Sequence, residues 1–541
     1  MNSTALIIVV LLYLGATIYL GWLGYKHTSS AKDYYTAGGE VNPYLMAMGY
    51  TTAFISTSAI VGFGGTASVY GFSMFWLVTF NIIVGIFVAF IWIGRRTRAI
   101  GKNLGAQTFP ELIGLRFKSD FIKKFSAIVI TVFMPLYAAA VMIGGARFME
   151  MSLNMSYSMS LIIMAVIVGA YVLAGGMKGV LYTSAFQGTL MLVVMLCLII
   201  YTYVTLGGIS GAHTALANMA HLVPKELIAS GHRGWTAMPA FLSPNWWFVF
   251  SSLVLAVGIG VLAQPQLAVR YMTVKSNKEL YRALVGGGIA IMIFTGAGYA
   301  CGPLTNVYFY KELGQISMHV FPNTDTVIPA FISATMPAWI SYVFLLTLLS
   351  AAMSTLASQF HVIATSVSYD LYTPKQANDQ KRLTFARYGT IFGLVATVLL
   401  SFVLPGSIIA RATAIFFGLC AAGFFPVYLF GIFWKRITTS GAIAGLVSGT
   451  AVYVFIMFFI NARMADTFKI CQVFFGQTCL AGEPWNYIDP LVYTFPICFL
   501  AAIVVSYMTQ NTIDEQHVSK CFTFAKGKVD LDKREVARRA N

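Results

Sequence analysis

The chain has 541 residues, 58% of them hydrophobic and only 10% charged, a composition that excludes a soluble globular surface. Its net charge is +16, but the basic residues fall in short blocks between apolar runs, which is the pattern of membrane topology rather than of nucleic-acid binding. The expected class is an all-α polytopic membrane protein in contact with lipid, with no nucleic-acid partner.

Apolar runs of about 20 residues predict thirteen spans, near 4–24, 44–70, 73–95, 125–149, 157–174, 180–206, 246–272, 281–304, 337–370, 385–403, 407–434, 441–460 and 488–508. The first run has no basic residue before it and no small-residue cleavage site, so it reads as a retained helix. With the amino terminus outside, 27 of the 35 Lys and Arg fall on the cytoplasmic side. That distribution supports thirteen crossings of the cell membrane with a cytoplasmic carboxyl tail.

Span 2 carries Thr51, Thr52, Ser56, Thr57 and Ser58, followed by Gly62, Gly64 and Gly65. Span 7 carries Gly258 and Gly260 before Gln264-Pro265-Gln266. Interrupted backbone at membrane depth is tolerated only where it is enclosed by protein or lines a cavity. Interruptions at corresponding places in two halves point to a transporter site. These spans are five apart and run in opposite directions, which is the arithmetic of an inverted repeat pairing spans 2–6, about 42–207, with spans 7–11, about 246–436. The alternative is that the glycines only permit close helix packing. The expected organisation is one transporter domain over 1–510 and a short tail over 511–541.

The external segments 208–245 and 305–336 read as loops with short helices, and Trp235, Trp246 and Trp247 as an interfacial aromatic belt. Span 9 presents Ala351, Ser354, Ser358, His361 and Thr365 on one face, with Thr355 beside them. Hydroxyls gain nothing from lipid, so this face lines an enclosed path or packs against other helices. Cys471 and Cys479 share one external loop and are a candidate disulfide. Acids are absent from the span interiors, which favours an alkali cation over a carboxylate proton relay. P-loop and Rossmann fingerprints are absent in their required context, so neither an enzyme nor a nucleotide-driven pump is expected.

Several segments together resemble the sodium:solute symporters, of the LeuT-type fold, close to their proline and pantothenate branch. They are Asp33-Tyr34-Tyr35-Thr36-Ala37-Gly38-Gly39, Thr108-Phe109-Pro110-Glu111, Ala174-Gly175-Gly176-Met177, Gln264-Pro265 with Val269-Arg270, Ala351-Ala352-Met353-Ser354-Thr355 with Asp370-Leu371-Tyr372, and Phe424-Phe425-Pro426 with Phe433-Trp434-Lys435-Arg436. The resemblance implies a sodium ion held by the carbonyls of Thr52, Ile55 and Ala351 and by the side chains of Ser354 and Thr355. Neutral oxygens suit a hard cation that must be released on every cycle.

It also implies a solute pocket between the broken spans, formed by Phe54, Ser56, Thr57, Ser58, Val257, Gly260, Val261 and Gln264. Helix amino ends there suit a small carboxylate-bearing solute such as a monocarboxylate, an amino acid like proline, or a pantothenate-like acid. Two positions depart from the family pattern: Phe54 and Ser184 stand where relatives often carry acids, and the loss at Ser184 leaves one full sodium site. The expected function is sodium-coupled import of such a solute by a monomer. The rivals are a proton-coupled carrier using His361, which is alternatively a neutral histidine bonded to a neighbouring helix, and a transporter-like solute sensor.

Overall fold

The computed structural model describes residues 3–153, 155–372, 379–404 and 408–523. The predicted tail beyond Thr523 and the basic position Lys375 lie outside them. Among the described residues eleven helices are long and apolar enough to cross a membrane, fewer than the thirteen runs read from the sequence. Two of the eleven, Ser58–Leu104 and Tyr157–Thr205, have 47 and 49 residues. Each is longer than the roughly 20 residues that one crossing needs, and each contains a glycine with backbone that no regular helix adopts. These are Gly71 at φ 72° and ψ −155° and Gly176 at φ 52° and ψ −144°. Both are packed where a side chain has no room: a Cβ on Gly71 would lie 2.0 Å from the Trp235 carbonyl, and one on Gly176 would lie 2.5 Å from the Tyr34 ring.

The elements that matter here are α1 (Ser3–Lys26), α2 (Pro43–Phe54), α3 (Phe63–Tyr70) and α4 (75–104). They continue with α5 (Phe109–Arg116), α6 (Asp120–Leu153), α7 (Tyr157–Thr205), α8 (244–263) and α9 (265–272). The rest are α10 (Asn277–Leu313), α11 (338–372), α12 (Asp379–Val403), α13 (Ile409–Phe433), α14 (Thr439–Phe459) and α15 (Pro490–Met508). Helix association in lipid depends on close packing rather than on hydrophobic burial. Accordingly α1 meets α7 at Gly24 and Gly179, where a Cβ on the former would come within 2.3 Å of the latter's Cα. The outer faces of α1, α12 and α15 expose Leu11, Leu12, Phe392, Leu399, Leu500 and Val504, as a lipid boundary requires. The centre, around α2, α6 and α11, is buried.

Both predicted interruptions occur, and each has a local cause. The Asn42 side chain caps α2 by accepting from Leu45 N at 2.9 Å, with Pro43 in the first turn. The helix stops after Phe54, where Ile55 turns extended at φ −93° and ψ 105°. Gln264 precedes Pro265, whose ring disfavours the α region for the residue before it, and it takes φ −66° and ψ 124°. A single parallel bridge, Val41 with Val274, ties the start of α2 to the segment that follows α9.

Two expectations are corrected. Trp235 is 1% exposed rather than interfacial; its Nε1 donates to Ser68 O at 2.9 Å and its carbonyl accepts from Phe72 N at 2.7 Å, so it locks the outer loop onto the turn at Gly71. Cys471 and Cys479 are both free. The first is buried in the bundle, whereas the Cys479 thiol donates to the Ala481 carbonyl at 3.4 Å.

The outer loop also contributes a buried acid. Asp325 lies in the turn Thr324–Thr326, which rests on Gly65 of α3, and its carboxylate accepts from Ile409 N at the start of α13. Burial pushes its pKa up to about 7, against the opposing pull of that N–H and of Arg411. Since the folded-state value is raised, the stability Asp325 contributes is complete below the unfolded value and is lost as pH rises through about 7. The melting temperature in detergent between pH 5 and 8 should therefore decline as pH rises toward about 7 and level off above it, and Asp325→Asn should flatten that decline.

Candidate sodium and solute sites

The end of α2 leaves its last carbonyls without successors in the helix, and this negative dipole end faces α11. Two hydroxyls from α11 converge on one of those carbonyls. Thr355 Oγ1 donates to Thr52 O at 2.8 Å, and Ser354 Oγ lies 3.3 Å from the same oxygen. The shortest contact of Ser354 Oγ is 2.6 Å to Ser350 O, one turn back, and it lies 3.4 Å from Ala351 O. With its proton on Ser350 O, its lone pairs are directed at the cluster. Thr52, Ala351, Ser354 and Thr355 are each 0% exposed. Ile55 follows directly at the break, where its extended ψ turns the carbonyl off the helix axis. The donor set is neutral oxygen throughout, which fits a weakly held alkali cation. No group of three or more His, Cys, Asp or Glu suited to a metal occurs among the described residues.

The predicted pocket residues separate into two groups. Phe54 and Val261 face each other across Gly85 of α4, where a Cβ would lie 3.2 Å from the Phe54 ring and 3.4 Å from the Val261 methyl. The Phe54 ring lies 6.4 Å from Phe417 of α13. Gln264 joins them from the break, its Oε1 accepting from Gln266 Nε2 at 2.6 Å while its own Nε2 is buried without a partner. Ser56 Oγ accepts from Ser58 N at 3.1 Å, and Ser58 Oγ is buried and unpartnered. Thr57 instead donates to Val141 O of α6 at 3.0 Å, so its hydroxyl fastens α6 to the break. Gly260 is a close-packing position, because a Cβ there would meet the Phe417 carbonyl at 2.2 Å. Val257 is buried on α8 one turn earlier.

Sequence reasoning missed Tyr137 and Phe417. Tyr137 lies on α6 with its hydroxyl buried beside the Ser56 side chain, and its ring is 5.7 Å from Phe416 and 5.4 Å from Phe417. A tyrosine among small residues in the run Tyr137-Ala138-Ala139-Ala140 was the available signal.

On the basic side, two of the quoted motifs meet. Thr108 Oγ1 donates to Asp370 Oδ1 at 2.8 Å, Lys123 Nζ lies 3.5 Å from the same oxygen, and Tyr369 OH donates to Glu111 Oε1 at 2.7 Å. His361 is buried and its Nε2 lies 3.3 Å from Tyr35 O in the short helix Ala31–Thr36. Ser184 is buried with an unpartnered hydroxyl.

The model of the sodium:solute symporter family matches residues 34–449, most of the chain and both broken helices. The chain belongs to the sodium:solute symporter family. This symporter is 26% identical over 427 residues to a sodium/pantothenate symporter of Haemophilus influenzae, covering 78% of this chain and 83% of that one. It is also 26% identical over 516 residues to an osmoregulated proline transporter of Bacillus subtilis, covering 94% and 96%. Its fold is shared with a Na+-coupled sialic acid symporter solved in a substrate-bound outward-open state, with a TM-score of 0.73, 18% identity and coverage of 94% and 97%. Sodium is the co-transported ion of this family, as the neutral oxygen cluster anticipates.

Proposed function

We propose that this symporter couples inward sodium flow to import of a small carboxylate-bearing solute by alternating access. The observation that carries this reading is the convergence of the Ser354 and Thr355 hydroxyls on the Thr52 carbonyl, at 3.3 and 2.8 Å. The sodium ion is held there by those three oxygens with the Ile55 and Ala351 carbonyls. The solute binds beside Phe54, Ser56, Ser58, Val261 and Gln264, with Tyr137 and Phe417 closing the pocket from α6 and α13. Its carboxylate accepts from the Gln264 amide. Relatives named for pantothenate and for proline support a carboxylate-bearing solute.

Folding back at Gly71 and Gly176 turns the two overlong helices into four crossings. With the amino terminus placed outside by the distribution of basic residues, this reading has thirteen spans and inverted repeats over about 42–207 and 246–436 within a domain of 1–510. The Val41–Val274 bridge couples the two broken spans, so α2–α4 and α8–α10 rock together against α6, the part of α7 before Gly176, α11 and α12. The symporter works as a monomer, its basic face toward anionic lipid.

Uptake of labelled amino acids and organic acids into proteoliposomes, with and without an inward sodium gradient, tests this reading. Sodium-dependent accumulation of at least one carboxylate is expected, and sodium-independent or absent uptake across the panel contradicts it. Gln264→Leu should raise the KM of that solute by roughly tenfold, the weight of one buried hydrogen bond, while leaving the sodium activation midpoint unchanged.

A further inference from the structure

Arg270, at the end of the second broken span, is 0% exposed. Its Nη2 donates to Ser358 Oγ of α11 at 2.6 Å, while Nε and Nη1 are buried without any hydrogen-bond partner. Among the described residues no carboxylate lies within ion-pair distance of it. Room for the guanidinium is provided by Gly49 of α2, where a Cβ would lie 2.5 Å from Nη1 and 2.6 Å from the Leu181 side chain of α7. The neighbours so identified are Gly49 of α2, Leu181 of α7, and Ser358 and His361 of α11, the last with its Nδ1 buried and unpartnered. His361, one turn beyond Ser358, has Nε2 turned to the Tyr35 carbonyl and carries no negative charge.

A buried cation without a counter-charge is costly, and a guanidinium presents its N–H groups in a fixed fork that matches a planar anion. Ser358 follows the sodium hydroxyl of Ser354 by one helical turn and donates to Ser354 O at 3.0 Å, so Arg270 stands on the Ser358 side of the proposed cation site. Both ends of this arrangement belong to segments that would separate in alternating access, since Arg270 follows the break in span 7 and Ser358 lies on α11.

We propose that Arg270, with Ser358, forms a site for one small monovalent anion between the sodium hydroxyls and the basic face, taking either the carboxylate of the transported solute as it leaves or a chloride ion. The carboxylate source rests on the function proposed above; the chloride source does not. In either case the anion accepts from Arg270 Nε and Nη1, and its arrival neutralises a charge that otherwise opposes the passage of sodium along the same face.

The test uses the full-length symporter in detergent at fixed sodium and ionic strength, replacing methanesulfonate stepwise with chloride or with acetate and reading the melting temperature. A saturable rise of a few degrees is expected with at least one of the two small anions. Response to acetate alone assigns the site to the solute carboxylate. Response to chloride is followed by uptake in chloride-free vesicles, where a loss assigns the site to chloride. Arg270→Gln should abolish the rise and melt no lower than wild type in methanesulfonate, because the amide removes an unpaired charge. Ser358→Ala should weaken the anion midpoint severalfold.

The proposal is overturned if neither anion shifts the wild type, if Arg270→Gln keeps the shift, or if that variant melts lower or does not fold and Ser358→Ala leaves the midpoint unchanged. Absence of sodium-dependent uptake would contradict the proposed function without altering the chloride shift, so the two failures are distinguishable.

Discussion

Thr355→Ala and Ser354→Ala should each raise the sodium concentration for half-maximal uptake by about tenfold or more, with normal amounts of protein in the membrane. Each substitution deletes one ligand oxygen, and a buried polar contact is typically worth about 1–3 kcal/mol, which corresponds to a change in affinity of roughly tenfold to a hundredfold. Thr355 is the more exposing test. Its hydroxyl reaches across from α11 to the Thr52 carbonyl at 2.8 Å, whereas the shortest bond of Ser354 stays within its own helix at 2.6 Å. Thr355→Ser keeps the oxygen and loses only a methyl, so it should restore most of the affinity that Thr355→Ala removes. Unchanged sodium activation in both alanine variants would place the cation elsewhere, and an equal loss in Thr355→Ser would mean that packing rather than the hydroxyl is what matters at this position.

The parts of this site that could be read in the sequence are those whose chemistry conflicts with their surroundings. Five hydroxyls in the middle of span 2, and a stripe of hydroxyls and small residues on span 9, have no reason to face lipid, and the structure buries both sets and brings Ser354 and Thr355 of span 9 onto the Thr52 carbonyl of span 2. The Gln264-Pro265 break was legible for the same reason, since proline dictates the backbone of the residue before it. Phe417 was not legible, because an aromatic in an apolar helix has the same pattern whether it faces a solute, a neighbour or lipid, and for Tyr137 the run of alanines after it was the one cue. Trp235 was misread on that ground: only the tertiary approach of the Ser68 carbonyl shows that its indole is buried. Thr57 has the composition of a pocket residue, yet the Val141 carbonyl of α6 claims its hydroxyl. The helix breaks at Gly71 and Gly176 required backbone torsion rather than composition, since each lies in a region already rich in glycine.

The second large effect concerns the number of ions moved. One sodium per solute is expected, and a physical argument supports it independently of the serine at position 184. The next hydroxyl of α11 beyond Ser354 on the Arg270 side is Ser358, and it is already bonded to the Arg270 guanidinium at 2.6 Å. A second sodium on that hydroxyl would lie within about 5 Å of the fixed positive charge, a repulsion of about 3 kcal/mol at an effective dielectric constant near 20, or more than a hundredfold in affinity. Ser184 offers only a buried neutral oxygen in place of a carboxylate, which gives no compensating attraction.

Sodium activation should therefore follow a Hill coefficient near one, and flux measured in proteoliposomes at fixed potential should give one sodium per solute. A monoanionic solute would then move without net charge and be insensitive to membrane potential, while a zwitterion would carry one positive charge inward and respond to it. If His361 supplied a coupled proton instead, uptake would persist without sodium under an inward proton gradient and disappear in His361→Gln. Two sodium ions per solute would refute the single-site reading, and would require Arg270 to leave Ser358 before the second ion binds.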